Sequence, residues 1–365
     1  MRQIFLVLQP LLWLLAGPVP PEERDKTAFV THNGLFRCTA MPFGLVNAPA
    51  VFQRMMNTAL ADCIASGFCR VYIDDIVVYS KTYEEHVAHL DAVLSAIEAS
   101  RLVCKPPKCY VGYRQIVHLG HLVGSGGIRV DPSTTRAIDE YPEPRNASEV
   151  RSFLGLAGYC RGFIEHFSEL AAPLYDLTHA DSPSSWKCLP TAARCAFDDM
   201  RAALVSAPCL ALQRFDREFV LRIDAPARGL GAMRLQHDDA GEVNIARFLS
   251  RTATPAEQRY DHPSKLESRA VVWTTERLRQ YLLGRHFTLQ TDARNLVWLS
   301  QRQLDRGQYA RWIVQLSEYD FTVEHAAVPA EDALSRHPVG ELAAISVVSS
   351  APSFAPSSAH THTCL

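Results

Sequence analysis

The chain has 365 residues, 47% of them hydrophobic and 21% charged, with a net charge of −2. That length suits two or three domains, and the apolar content excludes a wholly disordered chain. The near-neutral charge excludes attraction of the whole molecule to a polyanion, so any nucleic-acid surface must be a local basic patch.

Taken in chain order, the first feature is an apolar run from Ile4 to Ala16, after Arg2 and before Gly17-Pro18. A basic start and a short apolar run fit a secretory leader, and the run is short for a membrane span. An aberrant start joined to a shortened reading frame is the other reading, because the sequence after Pro20 reads as the middle of a domain. The ten scattered cysteines form no zinc-finger spacing. Reduced thiols then point to an intracellular compartment, cytoplasm or nucleus, and no membrane partner is expected.

Helical apolar spacing runs from Phe52 to Leu60 and again from Tyr83 to Ala99. Between them, Tyr72-Ile73-Asp74-Asp75 is set between Val71 and Ile76-Val77-Val78-Tyr79. β-Branched and aromatic residues on both sides of two acids suit a hairpin with the acids at its turn. Paired carboxylates there offer hard oxygen ligands for Mg²⁺. An ordinary acidic turn is the alternative.

Pro106-Pro107 breaks the chain, and a hairpin is expected over Ile116 to Ile128, turning at Ser125-Gly126-Gly127. Helices follow. Asn146 is placed to cap the one that carries Val150, Phe153 and Leu154. Beyond Arg217 the pattern reads β-β-β-α-β-α: strands at Phe219–Ile223, Ala232–Leu235 and Asn244–Leu249, a helix over Leu266–Leu283, a strand at His286–Thr291, then helices to Leu334. The Ser/Ala/Pro/His/Thr-rich tail from Ser346 has no apolar periodicity and reads as disordered.

Read together, these stretches resemble the polymerase–ribonuclease H portion of a gypsy-type LTR-retrotransposon polyprotein, a relative of retroviral reverse transcriptase. The resemblance covers roughly Val19 to Pro338. It is carried by Lys26-Thr27-Ala28-Phe29, Met41-Pro42-Phe43-Gly44-Leu45 with Asn47-Ala48-Pro49, and the Asp74-Asp75 hairpin. Leu119-Gly120-His121-Leu122, Phe153-Leu154-Gly155-Leu156 with Tyr159 and Phe163-Ile164, and Asp332-Ala333-Leu334-Ser335-Arg336 follow in the family's order.

The resemblance implies an α/β and α+β multidomain fold. Its parts would be a truncated fingers and palm over 19–107, a helical thumb and connection over 108–210, and a ribonuclease H-like mixed β-sheet with flanking helices over 211–338. Residues 1–18 and 339–365 would lie outside those domains. It also implies substrate contacts from Phe43, Gly44 and Asn47 near the incoming nucleotide and template, and from Gly120 and His121 in a primer-gripping hairpin. The expected partners are an RNA·DNA hybrid or template-primer duplex, and dNTP if polymerisation occurs. Oligomeric state is not legible.

Two acidic sites are implied, each expected to take two Mg²⁺, with Mn²⁺ as a substitute. The first, Asp74 and Asp75, lacks the further Asp that the family carries upstream in a Leu-Asp-Leu strand. Leu11-Leu12-Trp13-Leu14-Leu15 stands in that place, and no acid occurs before Glu22. Polymerase activity is therefore expected to be weak. The second set, Asp224, Glu267, Asp292 and Asp332, is complete, so hydrolysis of the RNA strand is the expected residual activity. Singly, these acids could equally be helix-start or turn formers.

Asp224-Ala225-Pro226, Arg234, and Ala293 after Asp292 depart from the family pattern and suggest decay. Arg247, Arg251, Arg277, Arg279 and Arg285 are candidate phosphate contacts, with a solvated helix face the alternative for Arg277. The rival expectations are an inactive nucleic-acid-binding remnant and a degenerate chain that folds poorly.

Overall fold

Short β-branched and aromatic runs build the first third of the chain into a sheet backed by two amphipathic helices. The structure, a computed structural model, describes residues 4–8, 19–42, 44–100, 102–104, 106–179, 185–225, 229–260, 262–291 and 307–325. Its strands and helices begin with β1 (Ile4–Leu8), a small hairpin of β2 (Phe29–Thr31) and β3 (Gly34–Phe36), then α1 (Ala48–Ala59) and α2 (Ala61–Ala65). β4 (Cys69–Tyr72), β5 (Asp75–Ser80), α3 (Tyr83–Ala99) and β6 (Tyr110–Tyr113) complete this part.

The sheet order is β4-β5-β1-β6. Phe52, Met56 and Leu60 of the helical layer meet Cys69, Ile76 and Val78 of the sheet and Val93 and Ile97 of α3 in one core. A capping box starts α3: Thr82 accepts from the Glu85 backbone N–H at 3.2 Å, and Glu85 accepts from the Thr82 N–H at 3.3 Å.

Within the N-terminal apolar run, Ile4–Leu8 pair antiparallel with β5, from Ile4 opposite Ser80 to Leu8 opposite Ile76. A Phe-Leu-Val run has strong strand preference, and the open edge of β5 gives it a ladder.

The middle of the chain is mainly helical. β7 (Gln115–His118), β8 (His121–Gly124) and β9 (Gly127–Val130) form a three-stranded meander where a single hairpin was expected. The extra turn is Leu119-Gly120, both with positive φ (46° and 63°), as a two-residue type I′ hairpin requires. α4 (Pro132–Asp139), α5 (Ala147–Tyr159), α6 (Phe167–Asp176) and α7 (Thr191–Val205) follow. Asn146 caps α5 as expected, accepting from the Glu149 N–H at 2.9 Å. Phe153, Phe167, Phe197 and Met200 fill the core between these helices.

The last part contains β10 (Phe219–Asp224), β11 (Gly229–His237), β12 (Val243–Thr252), α8 (Pro263–Arg277), α9 (Arg279–Leu282), β13 (His286–Thr291), α10 (Gln308–Leu316) and β14 (Asp320–His325). The sheet order is β12-β11-β10-β13-β14, antiparallel on the β11 side of β10 and parallel on the β13 side. Two expectations fail here. The helix expected over Leu266–Leu283 is two helices, and Asp320–His325 is a strand rather than helix because Phe321 and Val323 alternate along β13. Leu334 and the tail from Ser346 lie outside the described residues.

One face of this sheet, with Leu221, Ile223 and Leu289, is covered by α8 and α10 through Ala270, Val271 and Trp312. On the other face Phe248 enters the core of the middle helices, with Met233 and Ile245 packed against it. Nine described cysteines are free, and burial pushes the Cys69 thiol up to about 12 and Cys160 up to about 11. Among the described residues no helix is long and apolar enough to cross a membrane.

Candidate active sites

Tyr72 pairs with Asp75, leaving Ile73 and Asp74 as a two-residue turn between β4 and β5. Only Ile73 has positive φ, 51°, the sign pattern of a type II′ turn. A β-branched residue there carries roughly 1–2 kcal/mol of strain. Gln53 on α1 opposes it by accepting from the Ile73 N–H at 2.6 Å and donating to the Val71 carbonyl at 3.2 Å. The turn thus holds Asp74 and Asp75 half-buried at the open end of the sheet.

Asp75 Oδ2 lies 3.8 Å from His118 Nδ1. Burial pushes the His118 pKa down, against the upward pull of Asp75. The β7–β8 turn beside it is gripped by Tyr159, whose hydroxyl donates to the Leu119 carbonyl. A Cβ on Gly120 would come 2.8 Å from that hydroxyl, so close approach and a left-handed backbone both explain this glycine. The His121 ring stacks on Tyr159 at 5.1 Å and against Phe163 at 5.3 Å. Its pKa is lowered by burial, then by Arg247 and His118. Gly44 has φ 88°, and Asn47 sits at the N-cap of α1 without a side-chain cap bond. Phe43 lies outside the described residues.

Asp224 ends β10, and its Oδ2 lies 3.2 Å from His166 Nε2. His166 comes from the middle helices, and sequence reading missed it because nothing in local spacing links residues so far apart. Glu165 Oε1 is 3.5 Å from the same nitrogen. Glu267 is half-buried on α8, the fifth residue of a helix whose first turn has no acid, which weakens the helix-dipole explanation for it. α8 packs against β10 and β11, placing Glu267 on the same domain as Asp224. Ile223 pairs with Thr291 in parallel register, so β10 and β13 end at one edge of the sheet. Asp292 and Asp332 lie outside the described residues, as does Pro226.

Arg234, the unexpected charge in β11, is accommodated in the interior. Its guanidinium lies 4.4 Å from the Tyr281 ring centre and donates to Gln213 at 2.8 Å. Burial lowers its pKa.

Comparison with known proteins fits both halves of this arrangement. Residues 18–123 match the reverse transcriptase (RNA-dependent DNA polymerase) family, and residues 214–319 match the RNase H-like domain found in reverse transcriptase. The Pol polyprotein of transposon 297 from Drosophila melanogaster is 35% identical over 323 residues, covering 88% of this chain and 30% of that protein. The chain belongs to the reverse transcriptase–ribonuclease H family of LTR-retrotransposon polyproteins.

The gypsy Pol polyprotein of the same fly is 32% identical over 82% of this chain and 29% of its own length. The Tf2-3 transposon polyprotein of Schizosaccharomyces pombe (strain 972 / ATCC 24843) is 30% identical over 86% of this chain and 24% of its own. This chain therefore spans about 30% of the length of the curated fly relatives.

In fold, it is similar to the foamy viral protease-reverse transcriptase in complex with an RNA/DNA hybrid, with a TM-score of 0.76 and 19% identity over 97% of this chain and 47% of that one. A form of that viral protein in complex with double-stranded DNA gives a TM-score of 0.76 and 21% identity, over 90% of this chain and 58% of that one. These likenesses establish the reverse transcriptase palm and the ribonuclease H-like sheet as the fold.

Proposed function

We propose that this retrotransposon reverse transcriptase–ribonuclease H chain hydrolyses the RNA strand of an RNA·DNA hybrid at its C-terminal site, and that its Asp74–Asp75 site polymerises little or not at all. The observation that carries the first part is the shared sheet edge where β10 and β13 end, with Asp224 on it and Glu267 on the helix packed against it. Carboxylate oxygens are hard donors and fit Mg²⁺ or Mn²⁺. Asp224 and Glu267, with Asp292 and Asp332 as the further candidates, would hold two such ions, which when bound supply an activated water and stabilise charge on the departing oxygen.

The chain's own groups do the rest. Asp224 is held by the His166 ring, whose Nε2 lies 3.2 Å from one carboxylate oxygen. Clefts with such second partners hold ligating carboxylates in fixed orientation.

The polymerase side differs. β1, the strand paired with the acidic hairpin's second arm, carries no acid, and neither does any residue before Glu22. Two adjacent acids alone repel each other and bind a cation weakly. Gly44, Asn47, Gly120 and His121, with Phe43, remain the candidate substrate contacts of that half.

The test is cleavage of a labelled RNA·DNA hybrid with Mg²⁺, expected in the wild type and abolished in Asp224→Asn. Salt-dependent binding without cleavage would instead make the chain a binding remnant. Template-dependent dNTP incorporation that disappears in Asp74→Asn would overturn the second part.

A further inference from the structure

We propose that an arginine-lined groove between the turn at Arg161 and the edge strand β12 holds the phosphate backbone of the bound duplex, a few nucleotides from the Asp224 site. The groove has a volume of about 1000 Å³ and is lined by Arg161, Arg247, Arg251, Arg277 and Arg279, with Trp273 at its wall. The inference rests on the reading that the chain binds a hybrid, and it adds a surface contributed jointly by the thumb–connection region and the ribonuclease H-like sheet.

Charge bookkeeping within the groove decides what it fits. Arg251 is closed onto Glu257 by two bonds of 2.7 and 2.6 Å, and Arg279 onto Glu318. Glu276, the groove's own acid, lies 3.8 Å from Arg269. Arg161 donates to a neutral partner, the Ser250 carbonyl, and Arg247 and Arg277 are exposed with no carboxylate partner among the described residues. Three positive charges are therefore left over in one groove of a chain whose net charge is −2. Guanidinium groups pair with phosphate oxygens through a planar fork, which favours a phosphodiester over a diffuse counter-ion cloud.

Strand register places the groove relative to the carboxylates. Asp224 pairs with Gly231, and Gly231 pairs with Ser250, the residue whose carbonyl anchors Arg161. Neighbouring strands are about 4.8 Å apart, so Ser250 is roughly 10 Å from Asp224 across the sheet. At about 3.4 Å of rise per nucleotide, that is a span of roughly three nucleotides. A backbone lying in the groove can thus be continuous with a strand presented to Asp224. Arg285, which its sequence context grouped with these residues, instead donates to the Phe215 carbonyl and lies over the Phe215 ring, and it does not line this groove.

The experiment measures binding, not turnover. In an Asp224→Asn background, fluorescence anisotropy with a labelled RNA·DNA hybrid is followed across a KCl series. The double variant Arg247→Gln/Arg277→Gln is expected to lower the log–log salt slope by about two and to raise Kd on the order of tenfold. Arg277→Gln alone, on an exposed helix position, is expected to lower the slope by about one. Arg194→Gln, an exposed charge on α7 outside the groove, is expected to leave it unchanged. Unchanged slopes in both groove variants, an equal fall in Arg194→Gln, or no hybrid binding by the parent would each overturn the proposal. Loss of cleavage in the wild type with these slopes intact would sink the hydrolytic reading and leave the groove standing.

Discussion

His166 occupies the left-handed region, φ 49°, immediately before α6, and that turn brings its ring 3.2 Å from Asp224. Hydrogen-bonded partners of ligating carboxylates typically matter about 10–100-fold in metal affinity. His166→Ala is accordingly expected to raise the Mg²⁺ concentration for half-maximal hybrid cleavage roughly tenfold, read from a Mg²⁺ titration of cleavage rate. An unchanged titration would reduce His166 to a packing residue.

Glu257 makes a second residue-scale case. It is 6% exposed, yet it carries full charge: burial alone would raise its pKa, but bonds from Arg251, the Thr254 N–H and Arg269 outweigh that and hold it at about 2. A depressed carboxylate contributes stability above its unfolded value and loses it as pH falls. The denaturation midpoint should therefore fall between pH about 4.5 and about 2 in the wild type, and fall less over that window in Glu257→Gln. Of the candidate site, the sequence offered the acids only through its resemblance to the family, since each acid singly also fits a helix start or a turn. The histidine was invisible, since its role depends on how two distant segments dock.

Elements were legible where one face is buried and the period is clean. α3 matched its expected limits, Tyr83–Ala99, and Asn146 began α5 as its capping chemistry requires. β1 and β14 were missed for a shared reason. Both are short strands whose own pattern is too brief to stand out in the sequence and which take their place on a neighbour's open ladder, β5 in one case and β13 in the other. The middle meander adds a test at this scale. Gly127 has φ 124°, and a Cβ there would meet the Leu210 carbonyl oxygen at 2.2 Å, where Ile128 and Leu210 exchange backbone bonds of 2.7 and 2.8 Å. Gly127→Ala must break that bridge or bend the strand. It should destabilise the protein by about 2 kcal/mol or more, measured by denaturant titration, whereas Gly126→Ala, with open space around it, should cost far less.

At the scale of the whole molecule, the ribonuclease H-like sheet uses the thumb–connection helices as one of its two covers. Phe248 is 7% exposed and sits in the helices' core, and Ser168 donates from backbone and hydroxyl to Ser250 Oγ at 3.1 and 3.0 Å. A sheet with both faces buried loses apolar contact on each if either cover is removed. Phe248→Ala in the full chain is expected to cost about 3–5 kcal/mol. The informative readout is hydrogen exchange, because coupled regions open together. Protection should fall in α6 and in β12 alike. Loss confined to β12 would mean that the helices fold independently of the sheet, and the contact between His166 and Asp224 would then be a meeting of separate bodies instead of a built-in part of the site.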